Sequence, residues 1–148
     1  PIRPPAIEFG PDAEQIGVNV PVWLWVSNPD PVSASATDRT VTVTATAELA
    51  SVTWSMGEPD AASVICTGAG IAPSAGVDLW DPPCGYTYRL RSLDERTAGA
   101  GTWPVTAQAT WAVTWVANTG ESGSDSVTVS SAARAAVGEY RTVIVAGT

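Results

Sequence analysis

A period of two residues dominates the hydrophobic pattern of this 148-residue chain. The clearest run extends from Trp103 to Val116, where odd positions are apolar and even positions mostly carry hydroxyl or amide groups. A second run covers residues 40–49, and a short third run covers residues 51–56. Because side chains alternate between the two faces of a strand, these runs predict half-buried antiparallel strands. The short separation of the second and third runs at Ala50-Ser51 predicts a tight hairpin or a corner between two sheets.

Further segments have the composition of strands, and clusters of Gly, Pro, Asn and Asp separate them. These segments are 16–26, 63–67, 86–90, 124–131 and 141–145. Residues 132–140 are ambiguous, because their alanines favour helix although strand patterns flank them. The pattern predicts an all-β antiparallel sandwich of seven to nine strands in one domain, residues 13–148. Residues 1–12 are predicted to form an extended lead-in or linker.

The composition excludes several classes of chemistry. The chain has seven arginines, fifteen acidic residues, no lysine and no histidine. Histidine-dependent nucleophile relays, imidazole metal ligands and lysine Schiff bases are therefore ruled out. The net charge of -8 argues against binding to nucleic acid or anionic lipid. No run of 18 apolar residues occurs, so we expect no membrane insertion within this segment.

Paired carboxylates remain the one enzymatic alternative, since two of them can act as a glycosidase acid and base. Three such pairs lie in predicted turns, and none has the spacing of a calcium loop. These pairs are Glu58 with Asp60, Asp78 with Asp81, and Asp94 with Glu95. We interpret them as solvated turn residues, and we expect no catalytic residue, no metal and no cofactor.

Two cysteines, Cys66 and Cys84, flank a segment rich in Gly and Pro that reads as a loop. A disulfide closing this loop would stabilise the fold by roughly 3 kcal/mol. Two buried free thiols are the alternative, while a metal site would need ligands that the chain does not provide nearby. The disulfide predicts an oxidising compartment, and the low charge content also favours an exported, extracellular or cell-surface protein.

The aromatic residues divide into a predicted core and a candidate interaction surface. The core candidates are Trp54, Trp111 and Trp115 on apolar strand faces, with Tyr88 as a tyrosine corner. Trp23 and Trp25 lie opposite an apolar face that Val22 and its neighbours already supply. Either a loop or the N-terminal segment covers these two rings, or they form an exposed interface.

Trp80 lies in the predicted cystine loop between Asp78 and Asp81. An exposed ring between two carboxylates can stack on a sugar while the carboxylates accept hydroxyl hydrogen bonds. The interpretation that we favour is a loop plug that packs against the edge of the sandwich. Trp23, Trp25, Trp80, Asp78 and Asp81 are therefore the candidate interaction surface.

Several motifs carry a resemblance to a known family. The segment 52–57, Val-Thr-Trp-Ser-Met-Gly, resembles a central strand and turn of PKD-like immunoglobulin domains. Cys84-Gly-Tyr-Thr-Tyr88, followed by Gly-Thr-Trp-Pro-Val-Thr-Ala at 101–107, is similar to a later part of that pattern. The spacer between them is longer than usual, Gly57-Glu58-Pro59-Asp60 replaces a Gly-Asp-Gly turn, and Tyr86 stands where a histidine is common.

With Val-Trp-Leu-Trp-Val at 22–26 and the two cysteines, the ensemble also resembles an uncharacterised actinobacterial family of secreted or membrane-anchored proteins. The resemblance implies a fold and an exported location, and it implies no chemistry. We therefore expect a non-catalytic extracellular structural or adhesive module with a protein partner or self-association. The alternatives are a carbohydrate-binding module and a subunit of an extracellular assembly such as a filament or virion decoration.

Overall fold

A computed structural model describes residues 3–10, 16–74 and 76–138, and these residues form an all-β fold. They contain ten strands, more than the seven to nine predicted, and one single-turn 3-10 helix. The strands are β1 Ile7–Gly10, β2 Ile16–Gly17, β3 Pro21–Val26, β4 Val32–Asp38, β5 Val41–Ser55, β6 Val64–Thr67, β7 Gly85–Thr87, β8 Trp103–Ala117, β9 Ser122–Ala135 and β10 Val137–Gly138. The 3-10 helix spans Asp94–Arg96. Within the described ranges there is no helix long and apolar enough to cross a membrane.

The large sheet is built on three long strands in the order β5-β8-β9. β8 pairs with β5 along one side and with β9 along the other over nearly its whole length. Two short strands share the edge of β5 opposite β8. β4 pairs with residues 41–47 and β6 pairs with residues 51–54. Strands of 14 and 15 residues greatly exceed the usual five or six, so this sheet is much longer than a typical sandwich layer.

The predicted hairpin or corner at Ala50-Ser51 is wrong. β5 runs straight through this point, and its register against β8 shifts by one residue between Leu49 and Ser51. The extra residue forms a β-bulge, which changes which residue numbers point inward without ending the strand. The sequence carries this signal, since the inward positions are odd up to Leu49 and even from Val52 onward.

The small sheet has the order β1-β3-β7 and is antiparallel throughout. β1 lies within the stretch predicted as a lead-in or linker, and it pairs with β3 from Ile7 to Gly10. In the ambiguous stretch 132–140, residues 132–135 extend β9 and β10 pairs in parallel with β2. The strand predicted at 141–145 lies outside the described residues.

One core cluster joins the two sheets. Val22, Leu24 and Val26 of β3 are buried together with Val52, Trp54 and other residues of the large sheet. Two packed sheets of this kind are consistent with a β-sandwich.

The predicted disulfide is confirmed: Cys66 and Cys84 are bonded, with their Cα atoms 5.7 Å apart. Cys66 belongs to β6 of the large sheet, and Cys84 directly precedes β7 of the small sheet. The bond therefore ties the two layers together and anchors both ends of the cystine loop, residues 67–83. The disulfide indicates an oxidising, non-cytoplasmic environment.

Candidate functional site

The cystine loop covers the outer face of β3. The indole Nε1 of Trp23 donates a hydrogen bond to the carbonyl oxygen of Leu79 at 3.0 Å, and Trp23 is only 2% exposed. Since Leu24 on the opposite face is also buried in the core, β3 is covered on both sides. Trp23 therefore cannot present its ring to a partner and is removed from the candidate interaction surface.

Backbone contacts hold this loop against β3. The N–H of Val26 donates to the carbonyl oxygen of Ala69 at 2.9 Å, and the N–H of Leu24 donates to that of Cys84 at 2.9 Å. Gly70 has a φ of +73°, and a Cβ there would overlap the Leu24 carbonyl oxygen, so only glycine fits. Trp25 beside this contact is half-buried.

Trp80 is the most exposed tryptophan among the described residues, with 67% of its surface accessible. Its backbone N–H donates to the Asp78 carboxylate at 2.9 Å, and the Asp81 N–H donates to the Asp78 carbonyl at 3.1 Å. These bonds form a tight turn from Asp78 to Asp81, and the indole of Trp80 is exposed on it. The predicted loop plug is therefore not observed for this ring, and Trp23 lies beneath the loop rather than beside Trp80.

The predicted core residues lie in two environments. Trp54, Trp111 and Tyr88 are buried in the core cluster. Trp115 is half-buried and lies outside that cluster. Its indole covers Gly123 of the adjacent strand β9, where a Cβ would overlap the ring. Alternation predicted Trp115 as core because it continues the inward face of β8, but here that face extends beyond the small sheet.

Glu58 was predicted to be a solvated turn residue. It is instead 5% exposed and links two separate segments of the chain by hydrogen bonds. Its carboxylate accepts hydrogen bonds from the Tyr86 hydroxyl, from the Arg89 N–H at 3.3 Å and from the Leu90 N–H at 3.1 Å. The Tyr88 hydroxyl donates to the Met56 carbonyl oxygen at 2.7 Å beside it. The cluster joins the turn after β5 to the segment after β7.

The two tyrosine rings of this cluster meet edge to face, with centroids 4.9 Å apart. Burial is the main cause that raises the pKa of Tyr86 above its usual range, and the hydrogen bond to Glu58 raises it further. Burial likewise raises the pKa of Tyr88. Both hydroxyls thus remain protonated donors, and the Glu58 carboxylate is occupied by donors of the chain itself. The described residues contain no group of three or more acidic or cysteine side chains placed to hold a metal.

The large sheet projects beyond the small sheet, and we call this part the arm: residues 33–46 of β4 and β5, and residues 112–126 of β8 and β9. Paired residues of antiparallel strands point to the same face, so the register assigns each side chain to a face. The inner face, continuous with the core, carries Ala34, Ala36, Asp38, Val41, Val43, Ala45, Val113, Trp115, Ala117, Gly123 and Asp125. The outer face carries Ser33, Ser35, Thr37, Thr42, Thr44, Thr46, Ala112, Thr114, Val116, Ser124 and Ser126.

The two faces of the arm therefore differ sharply. The outer face consists mainly of hydroxyls, whereas the inner face is apolar except for one aspartate on each edge strand. Beyond Ala47 and Val113 the inner face leaves the core cluster, and Val41 is 39% exposed. A sheet with one apolar face ordinarily buries it against a second layer. Among the described residues, Val43, Ala45 and Trp115 lie outside the core cluster and are half-buried, and Ala117 at the tip is 6% exposed.

A step marks the base of the arm, where residues 28–31 leave the small sheet and enter the large one. A cavity of about 190 Å³ lies at this step. Its lining residues are Arg3, Asn28, Asp30, Pro31, Val32 and Trp111. Val32 and Trp111 belong to the inner side of the large sheet, so the cavity opens at the inner corner between the arm and the small sheet.

No protein-family model, no curated protein and no solved structure matches this chain. The features of the described residues that bear on function are the arm, the cystine loop and the Glu58 cluster. The arm was not predicted, although the fifteen-residue alternation of β8 exceeds what one sandwich layer needs. That excess length is the sequence signal from which the arm could have been found.

Proposed function

We propose that this protein is a non-catalytic extracellular interaction module that binds a protein partner through the inner face of the arm. The observation that carries the proposal is the apolar inner face, which continues from the core past the end of the small sheet. On this face Val41 is exposed and Val43 and Trp115 are half-buried. A partly exposed apolar face bordered by polar residues commonly marks a contact surface between proteins. The Ser and Thr residues of the outer face keep the opposite side of the arm solvated.

Features of the protein outside the arm are those expected of an extracellular structural domain. The disulfide between the sheets fits an oxidising compartment, which favours an exported protein. The buried Trp54 supports kinship with PKD-like immunoglobulin domains. The Tyr88 hydroxyl instead bonds the Met56 carbonyl oxygen 32 residues earlier in the chain, so it does not form the predicted tyrosine corner. The Glu58 carboxylate is buried and accepts hydrogen bonds from donors of the chain itself, which supports a structural use.

Two adjacent residues of β5 allow a matched test. Val43 points to the inner face and Thr44 to the outer face, and neither belongs to the core cluster. The full-length protein extracted from its producing cells should run as a complex in native electrophoresis. Val43→Asp should shift it to a smaller species, while Thr44→Asp should leave it unchanged. Equal behaviour of the two variants would overturn the proposal.

A carbohydrate-binding function is the second candidate, and the exposed Trp80 favours it. Its indole is exposed on the turn at Asp78, and aromatic rings of this kind stack on sugar rings. A single exposed ring offers less stacking area than a coplanar pair. Retention of the protein on insoluble chitin, cellulose or peptidoglycan, lost in Trp80→Ala, would support this candidate. Lack of retention on all three would oppose it.

A further inference from the structure

We propose that the partner of the arm is a second copy of this chain, bound through the same face in an antiparallel, two-fold symmetric dimer. The inference rests on the proposed function, because it names the occupant of that surface. Symmetric dimers are the commonest homo-oligomers, and their interface uses one self-complementary patch on both copies. Shape, charge and area each bear on this arrangement.

The step at the base of the arm fixes how the two copies can meet. Packed sheets lie about 10 Å apart, so the space above the arm has the thickness of one further sheet. An arm from a second copy fills this space if its tip points toward the step formed by residues 28–31. The parallel arrangement would drive the two small sheets into each other. Antiparallel arms instead complete the missing layer of each copy.

Trp115 lies near the middle of the face and is the main contact expected there. Its neighbours in register are Ala45 on β5 and Gly123 on β9, so the ring is flanked by small residues. Ala34 and Ala36 extend this row of small side chains across β4. In the proposed dimer the two-fold axis crosses the strands near Trp115, so the Trp115 rings of the two copies meet each other, with Ala45 beside each ring. Tryptophan is enriched among residues that dominate binding energy.

Charges at the two ends of the arm complement each other in this arrangement. The tip carries Asp38 at the end of β4 and Arg39 in the turn that follows, while Arg3 and Asp30 line the cavity at the step. The two-fold axis keeps β4 of one copy next to β4 of the other, with directions reversed. Arg39 of each copy then approaches Asp30 of the other, and Asp38 approaches Arg3. Exposed pairs contribute little affinity, but they fix register and orientation.

The area of the face predicts a weak to moderate dimer. Four strands about 4.8 Å apart and seven residues of about 3.3 Å each give roughly 450 Å² per copy. Two copies bury roughly 900 Å², and the contacts of each tip at the step add to this. The total is near the lower limit of about 1,000 Å² for a specific interface. We therefore expect a dimer that dissociates on dilution through the micromolar range.

Sedimentation equilibrium of the purified protein over a range of concentrations tests the proposal. Wild type should change from monomer to dimer. Ala45→Asp should weaken association by at least about tenfold, which corresponds to roughly 1.4 kcal/mol. The control Thr44→Asp should associate as wild type. Near-ultraviolet circular dichroism and thermal unfolding verify that each variant is folded.

A charge exchange tests the antiparallel register. Arg39→Glu should weaken the dimer, and addition of Asp30→Arg in the same chain should restore it. A wild-type protein that stays monomeric throughout would overturn the dimer, and so would a dimer insensitive to Ala45→Asp. A monomer that still shows a Val43-dependent complex from its producing cells would overturn the second copy as occupant while leaving the proposed function intact.

Discussion

The side chain of Asn118 binds the backbone of both Thr40 and Thr42 and joins the two turns at the tip of the arm. Its Oδ1 accepts from the Thr42 N–H at 3.2 Å, and its Nδ2 donates to the Thr40 carbonyl oxygen at 2.8 Å. The Asn118 N–H also donates to the Thr42 carbonyl oxygen at 3.0 Å. The β4–β5 turn and the β8–β9 turn are therefore held as one unit, so the end of the arm presents a fixed surface.

Asn118→Ala should loosen the tip without unfolding the body. Two side-chain hydrogen bonds are lost at an exposed site, so the free energy of unfolding should fall by about 1 kcal/mol or less. Amide exchange at Thr42 should become clearly faster, as measured by NMR. Asn118→Asp keeps the acceptor for the Thr42 N–H and should retain most of its protection. Equal exchange in wild type and Asn118→Ala would contradict this role.

Glu58→Gln should destabilise the protein although it preserves the size of the side chain. One carboxylate oxygen becomes an amide N–H₂ group, which opposes the donors from Tyr86, Arg89 and Leu90. The expected loss is about 1–3 kcal/mol in the free energy of unfolding, as measured by denaturant titration. Asp60→Asn at the neighbouring exposed site should change stability by less than about 0.5 kcal/mol. Similar losses of unfolding free energy in both variants would show that the hydrogen bonds of Glu58 do not specifically stabilise the fold.

Alkaline pH should destabilise the fold through Tyr86 and Tyr88. Unfolded tyrosine has a pKa of about 10, whereas burial raises the pKa of both residues above this in the folded protein. Above pH about 10 the unfolded state therefore binds fewer protons than the folded state, and stability falls as pH rises. Below about pH 10 the contribution of these two tyrosines to the free energy of unfolding is fully present.

Denaturant titrations at increasing pH, together with the ultraviolet absorbance of tyrosinate, check this expectation. Ionisation of these two residues should accompany loss of the near-ultraviolet circular dichroism signal. Tyr88→Phe should reduce the dependence on pH and remove the hydrogen bond to Met56. Full tyrosine ionisation near pH 10 with an intact native signal would refute the burial effect.

Reduction of the disulfide should lower the free energy of unfolding and make the Trp23 indole accessible to solvent. Loss of the loop constraint corresponds to about 3 kcal/mol in the free energy of unfolding. Since Leu79 of the cystine loop holds the Trp23 indole, fluorescence quenching by acrylamide should rise after reduction. A Trp80→Phe background removes the signal of the exposed ring. Quenching that does not change on reduction would show that the loop stays on β3 without its anchor.

The sequence predicted the strand class, the disulfide and most inward positions, because each depends on local alternation or on residue type. The bulge also leaves a signal in the sequence, because the inward positions change from odd to even between Leu49 and Val52. A local pattern of this kind does not distinguish a bulge from a hairpin. β4 was missed because its alternation of Ser and Ala has little contrast in hydrophobicity. Its position is set by pairing with β5, which is a tertiary effect.

The candidate site was less predictable because the burial of a side chain depends on which distant segments of the chain pack over it. The apolar pattern of β3 did not say whether the cystine loop or a partner covers Trp23. Trp115 continues the same face as Trp111, and only the end of the small sheet separates their environments. Glu58 became buried because backbone donors 31 and 32 residues away converge on it, which no local pattern records.

Site-specific photo-cross-linking is the most direct test of the central claim that the inner face of the arm is a contact surface. A photoreactive side chain would replace Val43 or Thr44, one at a time, in the full-length protein within its producing cells. Because these neighbours point to opposite faces, they differ in little except the side of the sheet. We predict polypeptide adducts from position 43 and none from position 44. Adducts from both positions alike, or from neither, would contradict the claim.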